Sequence, residues 1–252
     1  MIKAKKMGKQ FLQKYRLTSR ILSCFGSCVI MVFFLFFPCN VVDATAQTGG
    51  EVKLVLQITV DGLRGDLINR YGDGFGESGF RYLMDKGTVY TNAHYQHANT
   101  ETIVGHTILA TGAFPSDHGM VGNVWFDRED GELSYNIEDP DHPLLPTREG
   151  NVKGEQVDPA QKLSRTQGRS PAVILSATFA DVLAAYYGGR SKVFGVSGKD
   201  RGAVPMAGHV GKAPWYSTDT GDFVTSTYYY SAYPALASKW NARRRAGKYA
   251  GT

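Results

Sequence analysis

The feature that most constrains the fold is a nearly continuous apolar run at residues 52–60. Strands inside a parallel sheet that is covered on both faces have such runs, without the alternation of apolar and polar residues. Asp61 follows the run directly and precedes Gly62, a pair that is typical of a turn. Ligands of open α/β sheets also collect beyond the carboxyl ends of such strands, which makes Asp61 a candidate ligand as well.

Predicted helices and strands alternate along the chain. Residues 75–86 form a helical pattern that ends before a glycine, and a strand pattern follows at residues 88–94. A second helix, opened by Pro171, is predicted at residues 172–187, and residues 192–196 form the next strand. Strand, helix and strand of these lengths predict an α/β sandwich with a parallel sheet.

Three other segments have distinct local patterns. Residues 125–135 alternate around Asp130-Gly131, which indicates a hairpin. Residues 137–170 are rich in Pro, Asp, Gly and Arg, and we expect a long surface excursion there. Residues 234–245 are predicted to form a helix that ends in a basic cluster.

Two threonines precede a predicted helix at residues 102–111, which Gly112 closes. Thr100 is interpreted as an N-cap, because a hydroxyl at a helix start can satisfy free amides of the first turn. Thr102 is a candidate for chemistry, since a helix N-terminus offers amides and a positive dipole end to an anion. A hydroxyl there can attack phosphorus if a metal lowers its pKa.

A second candidate site lies in the segment 197–202, Ser-Gly-Lys-Asp-Arg-Gly. Charges after a strand usually belong to a solvated loop. However, Lys199 and Arg201 are two positions apart beside glycines, and two such cations can bind one phosphoryl group.

The N-terminal residues resemble an export signal. Residues 1–20 contain seven basic side chains and no acid, and an apolar run follows at residues 21–38. Ala44-Thr45-Ala46 then offers a cleavage site, so residues 1–46 are predicted to be a signal peptide and 47–252 the catalytic portion. The alternative is an uncleaved membrane anchor, because the run is about long enough to span a bilayer.

The basic composition belongs to this leader. The chain has 28 Lys and Arg and 23 Asp and Glu, and residues 1–46 account for seven of the bases and one of the acids. The remaining 21 bases and 22 acids leave a net charge of −1, which gives no support for nucleic-acid binding. All the cysteines, Cys24, Cys28 and Cys39, also lie in the leader, which excludes cysteine-rich zinc sites from the remainder.

Four short segments in order resemble the alkaline phosphatase superfamily: Val-Asp-Gly-Leu-Arg-Gly-Asp around Asp61, Thr-Ile-Val-Gly-His-Thr from Thr102, His-Gly-Met-Val-Gly-Asn ending at Asn123, and Gly-Lys-Asp-Arg-Gly-Ala with Lys199 and Arg201. The similarity is greatest to the phosphate-irrepressible alkaline phosphatase branch, related to the type I phosphodiesterase/nucleotide pyrophosphatases. It runs from about residue 52 to the end of the chain. It implies a three-layer α/β sandwich with a mostly parallel central sheet.

The resemblance also implies a function. A zinc-dependent phosphate monoester hydrolase would act through a phosphothreonine at Thr102, with Asp61 and Thr102 among the ligands of two zinc ions. Asn123, Lys199 and Arg201 would bind the phosphoryl oxygens of small-molecule phosphate esters. The family's remaining metal ligands, three histidines and two aspartates, come from its second half. Nothing after residue 227 supplies those patterns, so we expect an incomplete, N-terminal half of the domain.

Other functions remain open at this point. A phosphodiesterase or nucleotide pyrophosphatase of the same superfamily is the close alternative, and the paired cations favour monoesters over it. A sulfatase lacks support, because the sequence has no Cys/Ser-x-Pro-x-Arg segment. An inactive fragment, or a binding protein anchored in a membrane, is a further alternative. The resemblance assigns no ligand role to His94 or His97. His106, one turn after Thr102, is expected to pack or hydrogen-bond, and His209 is a candidate ligand.

Export is a testable prediction of the leader. The charge and apolar pattern predict a periplasmic or secreted protein whose first residue is Gln47. N-terminal sequencing of the exported protein measures this directly. Membrane-bound material that begins at Met1 would favour the anchor.

Overall fold

The computed structural model describes residues 52–146 and 159–244. The chain divides into two compact units, Met1–Ile58 and Thr59–Thr252. The predicted signal peptide, residues 1–46, lies outside the described residues. In the described ranges no helix combines the length and apolarity needed to cross a membrane.

The helices and strands of the described residues lie in the second unit. The helices are α1 (Leu67–Tyr71), α2 (Phe80–Lys86), α3 (Thr102–Thr111), α4 (Pro115–His118), α5 (Phe179–Tyr186), α6 (Asp200–Ala207) and α7 (Ala235–Asn241). Short 3-10 turns lie at Gly72–Gly74 and Gln161–Leu163. The strands are β1 (Val124–Asp127), β2 (Glu132–Tyr135), β3 (Trp215–Tyr216) and β4 (Phe223–Val224).

The predicted strands at residues 52–60, 88–94 and 192–196 are wrong as regular strands. The first two segments have no strand assignment, and the third takes part in a single parallel bridge between Phe194 and Lys212. A strand needs a hydrogen-bonded neighbour, and β1–β2 and β3–β4, both antiparallel, are the regular pairs in the described residues. The apolar side chains of residues 52–60 are accordingly exposed, Leu56 to 71%.

The prediction for α3 is confirmed at both ends. The helix runs from Thr102 to Thr111, and Gly112 follows it with φ +68°. The Gly112 N–H donates to the carbonyl of Ile108, so the glycine closes the last turn in the left-handed conformation that other residues rarely adopt. The expected cap by Thr100 is wrong, because the N-cap is Glu101, whose own side chain makes no cap hydrogen bond.

The predicted hairpin is also confirmed. Val124 pairs with Tyr135 and Asp127 with Glu132 in an antiparallel register. Gly131, at φ +72°, donates its N–H to the carbonyl of Asp127 and closes the turn. The surface excursion predicted at residues 137–170 is wrong at both ends of the segment, because Ile137 and Arg169 are buried.

Two helices differ from the predictions. The helix expected at residues 172–187 begins only at Phe179, because Thr178 and Asp181 form a capping box there. Upstream, Leu175 lies outside any helix, and its N–H donates to the carbonyl of His118, the last residue of α4. The predicted loop at 197–202 contains the start of α6, which runs from Asp200 to Ala207 despite an internal proline.

The core lies where α3 and α6 pack together. It unites α3, α6, the end of β2 and the β3–β4 hairpin. Its buried residues are Ile103, Val104, Met120, Tyr135, Ile137, Ile174, Ala203, Val204, Ala207, Ala213, Trp215, Val224 and Tyr229. Gly202 permits the close packing of α6, because a Cβ there would lie 2.4 Å from the Ser197 hydroxyl.

The Asp181 carboxylate generates a prediction about pH. Burial raises its pKa, but hydrogen bonds from His209 and Thr178 outweigh burial and hold the pKa below its usual value. A depressed folded pKa contributes stability above the unfolded value, and this is lost as the pH falls through the folded pKa. Asp181→Asn should therefore lower the free energy of unfolding near neutral pH by about 1–3 kcal/mol.

Urea unfolding measured from about pH 7 to about pH 3 tests this, because wild type and variant should converge at the acid end. Asp66→Asn is a matched control, since its ion pair with Arg64 is exposed and should contribute little. A stability difference that stays constant down to the acid end would contradict the prediction.

Candidate active site

The site is built around the first residue of α3. The Thr102 hydroxyl donates to the Asp61 carboxylate, at 3.3 Å from Oδ2 and 3.5 Å from Oδ1. Asp61 is exposed and Thr102 half-buried, so the hydroxyl is accessible. The structure thus brings together two of the residues singled out in the sequence, 41 positions apart.

Asn123 joins them through the first turn of the same helix. Its side-chain Oδ1 accepts the backbone N–H of Ile103 at 3.2 Å. This bond fixes the amide orientation, because only the oxygen can accept an N–H. The Nδ2 group then points away from that N–H, and no hydrogen bond to Nδ2 is found in the described ranges. It is a donor at the first turn of α3, which Thr102 opens.

The backbone of Asn123 is held on both sides. Its N–H donates to the Glu101 carboxylate. Its carbonyl accepts the side-chain Nδ2 of Asn136 at 2.7 Å and the Asn136 N–H at 3.3 Å. Asn99 donates to the carbonyl of Val121 at 2.6 Å and ties the same loop to the segment before α3. The donor of Asn123 is therefore preorganised.

Sequence reasoning missed Glu101 and Asn136. Both act on backbone groups of a residue 13 or 22 positions away, and such pairs carry no local spacing signal. The position of Glu101, directly before Thr102, was the available hint, since residues before a helix often satisfy free amides.

Lys199 and Arg201 lie at the start of α6. Lys199 is its N-cap and half-buried, whereas Arg201 is in the first turn and 4% exposed. The interpretation of this segment as a solvated loop is therefore wrong for Arg201. Since α3 packs against α6, the two cations and Thr102 occupy helices that touch. A Cβ at Gly202 would lie 3.8 Å from Nε2 of His106, a residue one turn beyond Thr102.

His94, His106 and His209 make side-chain hydrogen bonds, whereas Nε2 of His97 is buried without a hydrogen-bond partner among the described residues. His106 donates Nδ1–H to the carbonyl of Thr102 at 2.8 Å. The ring nitrogens of His209 face the Asp181 carboxylate at 2.8 Å and the carbonyl of Ile174 at 3.0 Å. His94 pairs with Asn92 at 2.7 Å. The His209 ligand role is thus unsupported, and His106 braces the first turn of α3.

The separation between the Asp61 and Thr102 oxygens is compatible with two neighbouring ligands of one zinc ion. Two ligands bound at about 2.0 Å in a tetrahedral site lie about 3.3 Å apart. The observed 3.3 Å and 3.5 Å agree with that separation. Across residues 52–146 and 159–244 no group of three His, Cys, Asp or Glu side chains could complete a metal site. The described residues therefore contain no complete metal site.

Comparisons with known proteins agree with this arrangement. Alkaline phosphatase PafA of Elizabethkingia meningoseptica is 37% identical over 191 residues, which are 75% of this chain and 32% of PafA. Alkaline phosphatase PhoV of Synechococcus elongatus is 33% identical over 204 residues, which are 81% of this chain and 34% of PhoV. The chain spans about a third of the length of these relatives.

Crystal structures of PafA are similar in fold. The wild-type structure has a TM-score of 0.63 at 34% identity, and the match covers 72% of this chain and 32% of PafA. A variant in which a threonine, an asparagine, a lysine and an arginine are replaced has a TM-score of 0.66 at 32% identity. These similarities confirm the predicted alkaline-phosphatase-like fold, which is incomplete in this chain.

A family model for type I phosphodiesterase / nucleotide pyrophosphatase matches residues 55–242. That range contains Asp61, Thr102, Asn123, Lys199 and Arg201. The chain therefore belongs to the type I phosphodiesterase / nucleotide pyrophosphatase family and is similar, within it, to alkaline phosphatases.

Proposed function

We propose that this chain is the nucleophile-bearing part of an exported phosphate monoester hydrolase. The observation that carries the proposal is the Thr102 hydroxyl, which opens α3 within hydrogen-bond distance of the Asp61 carboxylate. The names of PafA and PhoV, both alkaline phosphatases, support the reaction class. Small-molecule phosphate esters are the expected substrates.

The chemistry follows from these positions. The Thr102 Oγ forms a bond to phosphorus and gives its proton to solvent, and the ester P–O bond breaks to release an alkoxide or phenoxide that takes a proton from solvent. Water then cleaves the phosphothreonine to give inorganic phosphate. The hydrogen bond to Asp61 orients the hydroxyl proton away from the attacking lone pair. The bond from His106 to the Thr102 carbonyl and that from Ile103 to Asn123 hold the first turn of α3.

Zinc is the metal we propose for this site. Asp61 and Thr102 would hold it, together with ligands outside the described residues. When bound, zinc supplies a Lewis acid that favours the deprotonated hydroxyl and compensates charge on oxygen. The separation between the Asp61 and Thr102 oxygens supports this assignment.

The phosphoryl oxygens would be bound by Asn123, Lys199 and Arg201. The Asn123 amide is a fixed neutral donor, and the two residues on α6 are cations. The PafA variant offers support, because its replaced residues are a threonine, an asparagine, a lysine and an arginine in the same order. The threonine and asparagine are separated by 21 positions in both chains, and the lysine and arginine by two.

A phosphodiesterase is the second candidate, and the family's name favours it. The substrates differ in charge at one oxygen. A monoester dianion carries an additional anionic oxygen, which a diester replaces with a substituent. Paired cations at Lys199 and Arg201 stabilise the more charged transition state more, which supports the monoesterase.

The identity of the nucleophile is tested by threonine variants. Thr102→Ala should lose most turnover in the full-length, zinc-loaded enzyme, and Thr102→Ser should retain turnover because it keeps a hydroxyl. Thr100→Ala is the matched control. Thr100 is exposed and is not the N-cap, so its replacement should change stability by less than about 0.5 kcal/mol. Equal, mild losses at both positions would remove Thr102 from the mechanism.

The substrate class is tested by Lys199→Met/Arg201→Met. Methionine keeps the apolar stem of the buried Arg201 and removes its charge. Each charge-assisted contact contributes about 2 kcal/mol, so kcat/KM for an aryl phosphate should fall roughly a hundredfold or more. Hydrolysis of the methyl diester of the same phenol should change far less.

The measurement is kcat/KM for both substrates in wild type and variant, with the thermal unfolding midpoint as a control for folding. An equal fall for both substrates would mean that the cations do not select the monoester. The diesterase would then be the better description.

A further inference from the structure

We propose that Asp200 is a positioning residue for phosphate binding, holding Arg201 in place while Arg169 neutralises the Asp200 charge. The inference rests on the proposed function. Asp200 lies between Lys199 and Arg201, which are assigned to the substrate's oxygens. A carboxylate at that point opposes anion binding unless another cation compensates it. The structure supplies this cation from a distant segment.

The Asp200 carboxylate is saturated with donors. Its Oδ1 accepts the Tyr135 hydroxyl at 2.8 Å, the Gln161 amide at 2.6 Å and the Arg201 backbone N–H at 2.8 Å. Its Oδ2 accepts Nε of Arg169 at 2.7 Å. Asp200 is 1% exposed. A buried charge persists only when it is paired and hydrogen-bonded in this way.

Arg169 serves this pair rather than the substrate. Its Nη1 donates to the carbonyls of Thr166 and Gly168 at 2.8 Å and 2.7 Å, and to the Ser164 hydroxyl at 3.1 Å. Its guanidinium lies 4.8 Å from the centre of the Tyr135 ring, within cation–π range. Arg169 forms an ion pair with Asp200 at 2.7 Å, so it supplies a counter-charge for the buried carboxylate.

Tyr135 connects this pair to the side chain of Arg201. Its hydroxyl donates to Asp200 and accepts Nη1 of Arg201 at 3.4 Å. Burial, and then the negative charge of Asp200, raise the pKa of Tyr135 well above its usual value, so the hydroxyl keeps its proton. Asp200 therefore fixes Arg201 twice, at its backbone directly and at its guanidinium through Tyr135.

The test compares Asp200→Asn and Tyr135→Phe with Lys199→Met/Arg201→Met in the full-length, zinc-loaded enzyme. Each single variant should lower monoester kcat/KM roughly tenfold and weaken inorganic phosphate binding, measured by calorimetry, by a similar factor. The methyl diester should be affected much less. Added to Lys199→Met/Arg201→Met, each should cause no further monoester loss, because the residues act through one another.

Asp181→Asn is the matched control. Its carboxylate is also shielded and hydrogen-bonded to a basic side chain, but its hydrogen bonds come from Thr178, His209 and Val210, which are not assigned to the substrate. It should lower the unfolding midpoint and leave the ratio of monoester to diester kcat/KM unchanged. If Asp200→Asn does not fold, Tyr135→Phe alone tests the inference. It removes the hydroxyl that joins Asp200 to Arg201 and keeps the buried ring.

Equal losses for monoester and diester, additive with the loss in Lys199→Met/Arg201→Met, would overturn the inference and make Asp200 a support of the fold. Failure of the proposed function looks different. In that case Lys199→Met/Arg201→Met itself would not discriminate between the substrates, whatever Asp200→Asn does.

Discussion

Two adjacent residues at the end of β2, Tyr135 and Asn136, connect the parts of the site that lie on α3 and on α6. Tyr135 points one way and reaches Asp200 and Arg201 on α6. Asn136 follows it, and its amide holds the backbone of Asn123, whose own side chain binds the first turn of α3. Tyr135 is the last residue of β2 and Asn136 begins the turn after it, so two adjacent residues brace both parts. The relative placement of α3 and α6 depends on this brace and on the core between them.

The two buried arginines near Asp200 have different roles: Arg169 is structural, and Arg201 is proposed to bind the substrate. Arg169 is buried against Asp200 and satisfied by backbone carbonyls, which makes it a structural cation. Arg201, one residue beyond Asp200, is held by its backbone and by Tyr135. Removing either member of a buried ion pair leaves an uncompensated charge, which strongly destabilises the fold. The two side chains therefore hold each other in place, although apolar residues at both positions could be equally stable. A preorganised site benefits because no reorganisation is needed when charge develops on the substrate.

Local sequence patterns were sufficient where local interactions decide the structure. The start of α3 at Thr102, its closure by Gly112 and the hairpin between β1 and β2 were all predictable, because a left-handed glycine and a short turn need only near neighbours. The capping box of Thr178 and Asp181 is also a local signal, but the apolar pattern extends upstream of it and predicts an earlier start of the helix. Strands were predicted from apolar runs alone, and the run at residues 52–60 shows that composition cannot supply the hydrogen-bonded neighbour a strand requires.

The sequence by itself determined the family and named Asp61, Thr102, Asn123, Lys199 and Arg201 as a set, since ordered motifs carry that information. Tertiary structure alone decided how these residues are held. Glu101 and Asn136 bind backbone groups of Asn123, and Arg169 pairs with Asp200 across 31 positions. It also decided that Asp200 and Arg201 are buried in a helix, where charges directly after a predicted strand had suggested a solvated loop. The physical reason is that burial and charge compensation depend on which segments meet in space, and residue order along the chain does not specify that.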